Sequence, residues 1–557
     1  MNQPIDQFGN AAKMHKPGEK TKTNFGALTT LVTVFFFWGF VAASNGIFIP
    51  FCKAHFSLNQ YQSQLIDASF YGAYFFGSLI LYMLSTFRNI DLLNQIGYKK
   101  GIIIGLLISV AGALALAFVS GLAGATFAMV LISFFLIALG FSLQQTAAQP
   151  FAISLGDPST GSHRLNFAGG VNSLGTLLGP LIVSFVLFGS LATGDTIASL
   201  GNIKMLYLIL AGLFTFVAAF FALRKLPQVT SREHIEKSPK ALRSLIIIAI
   251  PTFILIFLNG WVDRNFGETG KRILIFGTLL VVVLVLLNAL FSSKRNNKGW
   301  GAMQYPQLVL GMLGIFVYVG TEVTIQSNLG ALLQTKDFGG HDVAYISQFI
   351  SLYWGSLMIG RWTGAISAFD LKKSTKNLLT VVIPFIAFAI ILFVNYLRGN
   401  AIDDLIIYAV CVVILIAGIF LAKEKPAKML FIFSIMGVIA MLIGLFTTGE
   451  IAKFAFISGG LCCSIGWPCV FGLSILGLGK YTSQGSAFLI MMILGGAIIP
   501  PLQGYIADLV NIHMSYWVPV AGFAYLAWFA VAVQGILHKQ GIDGAKSEIN
   551  PNSTAEI

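Results

Sequence analysis

Apolar stretches of about 20 residues recur along the chain from Phe25 to Leu537, and short polar segments separate them. A helix rises about 1.5 Å per residue, so each stretch is long enough to cross roughly 30 Å of hydrocarbon. The predicted spans are residues 26–50, 62–85, 101–119, 122–149, 164–189, 203–224, 243–260, 271–291, 306–332, 343–367, 377–397, 405–422, 428–447, 452–478, 483–509 and 514–537. This pattern predicts an all-α polytopic membrane protein with about 16 spans.

Composition agrees with this interpretation, because only 10% of the 557 residues are charged and 56% are hydrophobic. Soluble domains carry roughly 25% charged residues. The net charge of +13 does not indicate a nucleic-acid partner, because the Lys and Arg residues lie in turns between apolar stretches rather than on one basic face. Membrane lipids are the expected surroundings. The first 24 residues are polar, so no cleavable signal peptide is predicted.

The distribution of positive charge predicts the orientation. Sixteen crossings would place both termini on the same side of the membrane. Of the 35 Lys and Arg residues, 26 fall on the side of the N-terminus, eight on the other side, and Arg361 within a span. Cytoplasmic loops are enriched in Lys and Arg, so both termini are expected in the cytoplasm of a bacterium, with the chain in its inner membrane.

Two motifs occur in both halves of the chain. Gly77-Ser78-Leu79 recurs as Gly355-Ser356-Leu357, and Gln149-Pro150-Phe151 recurs as Trp467-Pro468-Cys469. The first Gly and the Pro are 73 residues apart in the first half and 113 in the second, which leaves room for one additional helical hairpin. Repeated halves are typical of transporters.

The repeat predicts the domain organisation. Two six-helix bundles with two inserted hairpins, near 243–291 and 377–422, account for all the spans. This is the major facilitator architecture, in which the binding site lies at mid-membrane between the bundles. The expected divisions are a cytoplasmic tail at 1–24, an N-terminal bundle at 25–225, a basic central loop with the first hairpin at 226–300, a C-terminal bundle with the second hairpin at 301–537, and a cytoplasmic tail at 538–557.

Four segments resemble the fucose permease family, whose members are fucose, galactose and glucose symporters. They are Phe37-Trp38-Gly39 through Asn45 to Pro50, Gln145 to Phe151, Arg164-Leu165-Asn166 through Asn172 to Gly175, and Tyr318-Val319-Gly320 with Glu322. The resemblance covers the twelve core helices and implies uptake of a sugar coupled to a cation, with no cofactor other than H⁺ or Na⁺. The inserted hairpins have no counterpart in it.

The chain also departs from that family. Fucose permease uses acidic residues on its first and fourth helices, and the matching positions here are Gly46 and Gln145. Neither of these residues can bind and release a proton. Its asparagine-type sugar contact is kept as Asn172, whereas a Gln one turn earlier is replaced by Gly169. The coupling residue and the sugar are therefore expected to differ.

Two acidic residues within apolar stretches are candidates for cation coupling. A carboxylate at the centre of a membrane costs about 2.5 to 3.5 kcal/mol on insertion scales, so its presence needs a reason. Glu322 lies inside the ninth span, and Asp67 lies about one turn into the second. The alternatives are that Glu322 pairs structurally with Arg361 or with polar neighbours, and that Asp67 is a solvated acid. Arg361 itself is interpreted as a gate or structural ion pair rather than a substrate contact.

Amides and aromatic rings are the groups that an uncharged polyol requires. Amide candidates for substrate binding are Gln144, Gln145, Gln149, Asn172, Asn45, Gln326 and Asn328, and the aromatic candidates are Trp38 and Trp354. The alternatives are that the amides bridge helices and that the Trp side chains pack in the core or in an interfacial belt.

Other functions are less compatible with the sequence. The seven His residues are isolated from one another, so the catalytic constellation of a membrane-embedded transferase is missing. The five Cys residues lie in or beside apolar stretches without a His at ligand spacing, so no metal site is predicted. An exporter of drugs or cell-wall fragments on the same fold remains the main alternative. A monomer is expected.

Overall fold

The computed structural model describes residues 22–57, 60–88, 92–122, 124–157, 160–188, 200–227, 237–341 and 343–542. Within these ranges the regular structure is almost entirely helical. The helices of the first half and the first hairpin are α1 (Phe25–His55), α2 (Gln60–Arg88), α3 (Leu92–Ile96), α4 (Tyr98–Val119), α5 (Phe127–Ser154), α6 (Gly161–Phe188), α7 (Leu200–Leu223), α8 (Pro239–Phe257) and α9 (Asn259–Arg295). Those of the second half are α10 (Pro306–Leu333), α11 (Val343–Ala365), α12 (Lys373–Leu397), α13 (Asp403–Ile406), α14 (Ala409–Ala422), α15 (Pro426–Phe446), α16 (Gly449–Cys463), α17 (Gly466–Ile475), α18 (Thr482–Met491), α19 (Gly495–Leu509) and α20 (Trp517–Lys539).

The helices can be compared with the sixteen predicted spans one by one. Among the described residues, 14 spans are long and apolar enough to cross a membrane, so the count of sixteen is not confirmed. The other two predicted spans, 164–189 and 343–367, correspond to α6 and α11, which are helices of 28 and 23 residues. Buried polar side chains, including Arg164 in α6 and Arg361 in α11, lower the hydropathy of both helices.

The two halves repeat the same packing. In the first half α1 packs on α6, α2 on α5, and α4 on both α5 and α7. In the second half α10 packs on α19, α11 on α16, and α15 on both α16 and α20. The halves meet through α6 against α11 and through α18 against α2 and α5. These pairs correspond to one another under the sequence repeat, as the major facilitator architecture requires.

The inserted hairpins lie at the periphery. Helix α8 packs on α2 while α9 packs on α10 and α19, and α12 packs mainly on α11 while α14 packs on α15 and α16. Only 28% of the apolar segment of α9 is buried, compared with 78% for the core helix α10. Gly267 has φ 57° and interrupts α9 near its beginning, so the turn of the first hairpin lies close to this residue.

Proline residues interrupt helical hydrogen bonding at corresponding positions in the two halves. Pro150 lies inside α5, and Pro468 lies at the beginning of α17, just after the break that separates α16 from α17. A proline has no N–H, so the carbonyl four residues earlier loses its helical donor. The freed carbonyls belong to Thr146 and Ser464.

Candidate functional site

Glu322 and Arg361 form an ion pair between α10 and α11. Oε1 of Glu322 lies 3.1 Å from Nη2 of Arg361, and the two side chains are only 12% and 10% exposed. The hydroxyl of Tyr318, one turn earlier on α10, donates a second hydrogen bond of 3.1 Å to the same oxygen. Leaving one member of a buried ion pair alone costs about 3 to 5 kcal/mol. The charge states of the two residues are therefore linked.

The same guanidinium group also contacts the first half. Nη1 of Arg361 donates to the hydroxyl of Ser173 on α6 at 2.8 Å, and it lies 3.5 Å from the carbonyl oxygen of Gly169. A Cβ added at Gly169 would lie 3.2 Å from Cδ of Arg361, which is a tight contact. Glycine at this position therefore leaves room for the Arg361 side chain. Arg361 thus holds α6 of the first half and α10 of the second half at once.

The break between α16 and α17 supplies further acceptors to this pair. Nε of Arg361 donates to the carbonyl of Ser464 at 3.2 Å, and the carbonyl of Cys463, 3.1 Å from the hydroxyl of Tyr318, is an alternative acceptor for the single proton of that hydroxyl. Carbonyls at a helix end lack helical donors and need other partners. Because Pro468 cannot donate to Ser464, the guanidinium takes the place of the missing N–H.

Gln145 and Asn172 lie on neighbouring helices, and both are half-buried. Nε2 of Gln145 donates to the hydroxyl of Tyr74 at 3.2 Å, and Nδ2 of Asn172 donates to the carbonyl of Phe35 at 2.9 Å. Within the described residues, the carbonyl oxygen of neither amide accepts a hydrogen bond. Each amide is held by one bond and has an acceptor left for a hydroxyl group.

Gln144, the residue before Gln145, is placed differently. Its Oε1 accepts a hydrogen bond of 2.9 Å from the indole of Trp38, and its Nε2 donates to Ser109 at 3.1 Å. Gln144 and Trp38 are both buried, at 1% and 3% exposure. This amide joins α1, α4 and α5, which matches the alternative that some of the amides bridge helices.

The remaining candidates are distributed along both halves. Gln149 is buried, and its Oε1 has no hydrogen-bond partner among the described residues. Gln326 is half-buried, and Nδ2 of Asn328 donates to the carbonyl of Thr324 in its own helix at 3.1 Å. Trp354 is half-buried and packs edge-on against Tyr353 at 5.7 Å. The side chains of Asn45 and Asp67 lie outside the described residues.

The halves are also joined at the end of the bundle where α1 and α6 begin. Ser486 on α18 donates to the carbonyl of Thr146 on α5 at 2.9 Å. A ring nitrogen of His163 on α6 lies 2.8 Å from the carbonyl of Gly364 on α11. Phe25 stacks on Phe369 with ring centroids 4.8 Å apart. We call this the N-terminal end, and in this structure the two halves are closed together there.

Three partners of the ion pair were not among the residues selected from the sequence, namely Tyr318, Ser173 and Ser464. Tyr318 is the first residue of a motif that resembles the fucose permease family, so its position was visible although its role was not. Pro468 marked the free carbonyl of Ser464. Ser173 lies in another such segment, Asn172 to Gly175, but its contact with Arg361 was not predicted, because a small residue in an apolar helix usually serves packing alone.

Two helical bundles with a buried polar site between them define a membrane transporter of the major facilitator class. The chain belongs to the Major Facilitator Superfamily, whose sequence model matches residues 29–422. The glucose/galactose transporter of Brucella abortus biovar 1 (strain 9-941) is 30% identical over 513 residues, which are 92% of this chain and 95% of that protein. The L-fucose-proton symporter of Escherichia coli (strain K12) is 23% identical over 515 residues, which are 90% of this chain and 91% of that protein.

A solved structure is similar as well. The crystal structure of the E. coli fucose:proton symporter matches with a TM-score of 0.60 and 21% identity, and the match covers 91% of this chain and 98% of that one. The predicted fold class and the resemblance to the fucose permease family are confirmed. The prediction of a transporter rather than a membrane-embedded transferase is confirmed by the family and by these relatives.

Proposed function

We propose that this protein is a secondary active transporter that takes up a hexose or a related sugar together with a cation, by alternating access. The observation that carries the proposal is the buried Glu322–Arg361 pair, which lies where the two halves meet and involves an acid able to bind a proton. The relatives named as glucose/galactose transporters and fucose-proton symporters support the substrate class.

Proton coupling is preferred to sodium coupling because of the surroundings of Glu322. Its described contacts are a guanidinium and a phenol hydroxyl, both of which are donors. Sodium needs several oxygen acceptors around it, whereas a proton needs only the carboxylate itself. Glu322 is the proposed coupling residue, and Asp67 remains a candidate for a second titrating group. Gln145 and Asn172 are the proposed sugar contacts.

The expected topology completes the proposal. Both termini face the cytoplasm of a bacterial inner membrane, so the N-terminal end is the cytoplasmic end. The bundles at 25–225 and 301–537 move against each other, and the chain works as a monomer in the lipid bilayer. Closure at the N-terminal end then corresponds to a state that receives substrate from outside.

Transport by the purified protein in lipid vesicles tests the proposal. Radiolabelled glucose, galactose and fucose are offered with an imposed inward proton gradient, an imposed sodium gradient, or neither. We expect one of these sugars to accumulate with the proton gradient and a protonophore to abolish this accumulation. Vesicles that concentrate none of them, or that only expel them, would contradict the proposal and favour an exporter.

A further inference from the structure

The donors of Arg361 are divided between the two halves of the protein. Nη1 donates to Ser173 in the first half at 2.8 Å, whereas Nη2 donates to Glu322 in the second half at 3.1 Å. Nε is held by the carbonyl of Ser464. Three fixed acceptors determine the plane of a guanidinium, because its N–H groups point in fixed directions. The position of Nη1 therefore depends on what Nη2 binds.

Protonation of Glu322 changes this arrangement. A neutral carboxyl group no longer compensates the charge of Arg361, and a buried cation without its counter-charge is strongly unfavourable. Rotation of the guanidinium toward water or a bound polyol then becomes favourable. Because all of its donors belong to one rigid plane, such a turn also removes Nη1 from Ser173.

We propose that Ser173 is the positioning residue through which the first half senses the charge of Glu322, with Arg361 as the connection between them. This inference rests on the proposed function, because it gives a route by which the coupling ion controls closure. While Glu322 is ionised, the Arg361–Ser173 bond keeps the N-terminal end closed. Binding of a proton to Glu322 releases that bond and permits opening.

The arrangement accounts for two requirements of symport. A carrier with sugar but no proton must not open toward the cytoplasm, and an empty carrier must be able to close again after release. An ionised Glu322 meets both requirements, since it favours the closed N-terminal end in each case. A shift of this kind needs only that the proton bind one state better than the other.

Distance measurements between the halves test the inference without relying on transport. Spin labels are attached to cysteines at Lys100 and Lys428, which are exposed near the beginnings of the corresponding helices α4 and α15. The native cysteines are buried or half-buried and are replaced by serine. Pulsed electron resonance then gives the ratio of open to closed states at the N-terminal end in detergent or lipid.

We expect Ser173→Ala to raise the open-to-closed ratio about 10- to 100-fold, as loss of a hydrogen bond to a charged group predicts. Ser173→Thr keeps the hydroxyl and should restore the wild-type ratio. Ser133→Ala is the matched control, because Ser133 is also buried in the first half and, within the described residues, its hydroxyl bonds only to the carbonyl of Met129 in its own helix. It should leave the ratio unchanged.

The double variant decides whether Ser173 and Glu322 act together. Glu322→Gln, which imitates the protonated acid, should open the N-terminal end, and adding Ser173→Ala should then change the ratio less than about 2-fold. If the two substitutions instead change the open-to-closed ratio independently, so that their fold-changes multiply in the double variant, the inference is overturned. It is also overturned if Ser173→Ala leaves the ratio unchanged, as Ser133→Ala is expected to do. Failure of the proposed function is seen separately, as sugar accumulation that persists in Glu322→Gln.

Discussion

The hydroxyl of Ser486 donates a hydrogen bond of 2.9 Å to the carbonyl of Thr146, and this bond crosses from one half of the protein to the other. Thr146 is free to accept it because Pro150, four residues later, has no N–H. In the second half Pro468 frees the carbonyl of Ser464 in the same way, and Arg361 occupies it. The repeated Pro motif thus provides an acceptor for a bond at or near the boundary in each half.

Loss of the Ser486 hydroxyl should therefore loosen the N-terminal end. In Ser486→Ala, backbone amides of α18 should exchange with deuterium faster than in wild type, because a closed state weakened by about 1 kcal/mol opens roughly five times more often. Hydrogen exchange followed by mass spectrometry measures this rate. Ser474→Ala is the matched control, since its buried hydroxyl bonds only to Val470 in its own helix among the residues that the structure describes. Equal exchange in both variants would show that the bond does not hold the halves together.

His163 offers a second test of the same closure. Its ring nitrogens lie 2.8 Å from the carbonyl of Gly364 and 3.3 Å from that of Glu424, and both carbonyls belong to the second half. His163→Ala removes these contacts and should increase the open fraction at the N-terminal end, measured with the labels at Lys100 and Lys428. His513→Ala removes a similar bond, to Gly444, that stays within the second half. An unchanged distance distribution in His163→Ala would count against the contact.

Much of the fold could be predicted because the features that determine it are visible in the sequence. Length and hydropathy determine membrane crossings, and the repeated Gly77 and Gly355 motifs reveal the two halves. Less of the candidate site could be predicted from the sequence. Glu322 and Arg361 stand out as charges in apolar helices, but the choice between Gln144 and Gln145 depends on the rotation of α5, which hydropathy leaves open when a helix is apolar on nearly every side.

The rotation of α5 leads to a direct prediction about substrate binding. Gln145→Ala and Asn172→Ala should each weaken apparent sugar affinity about 5- to 150-fold, because a hydrogen bond in a desolvated site is worth about 1 to 3 kcal/mol. Competition binding with a labelled sugar gives the values. Gln144→Ala should instead lower thermal stability with little change in affinity, since its amide is already bonded to Trp38 and Ser109. Unchanged affinity in well-folded Gln145→Ala and Asn172→Ala would remove both residues from the site.

The hairpins are expected to turn on the outer face of the membrane. Cysteines at Glu268, near the turn of the first hairpin, and at Asp403, in the turn of the second, should react with a membrane-impermeant thiol reagent added to intact cells. Both positions are exposed. A cysteine at Lys373, at the opposite end of the second hairpin, should react only after the cells are opened. Reaction of Glu268→Cys or Asp403→Cys from the cytoplasm alone would reverse the predicted orientation.

The coupling role of Glu322 can be separated from sugar binding. A symporter must pass through a state closed to both sides, and there an ionised carboxylate needs either its partner Arg361 or a proton. Glu322→Gln is permanently neutral, so sugar should still bind and exchange across the membrane, whereas the accumulation ratio under a proton gradient should fall to about one. Glu268→Gln, which alters an exposed acid paired with Lys271, should accumulate sugar as wild type does. If Glu322→Gln also concentrates sugar normally, Glu322 and Arg361 form a structural ion pair, and coupling must be sought at Asp67.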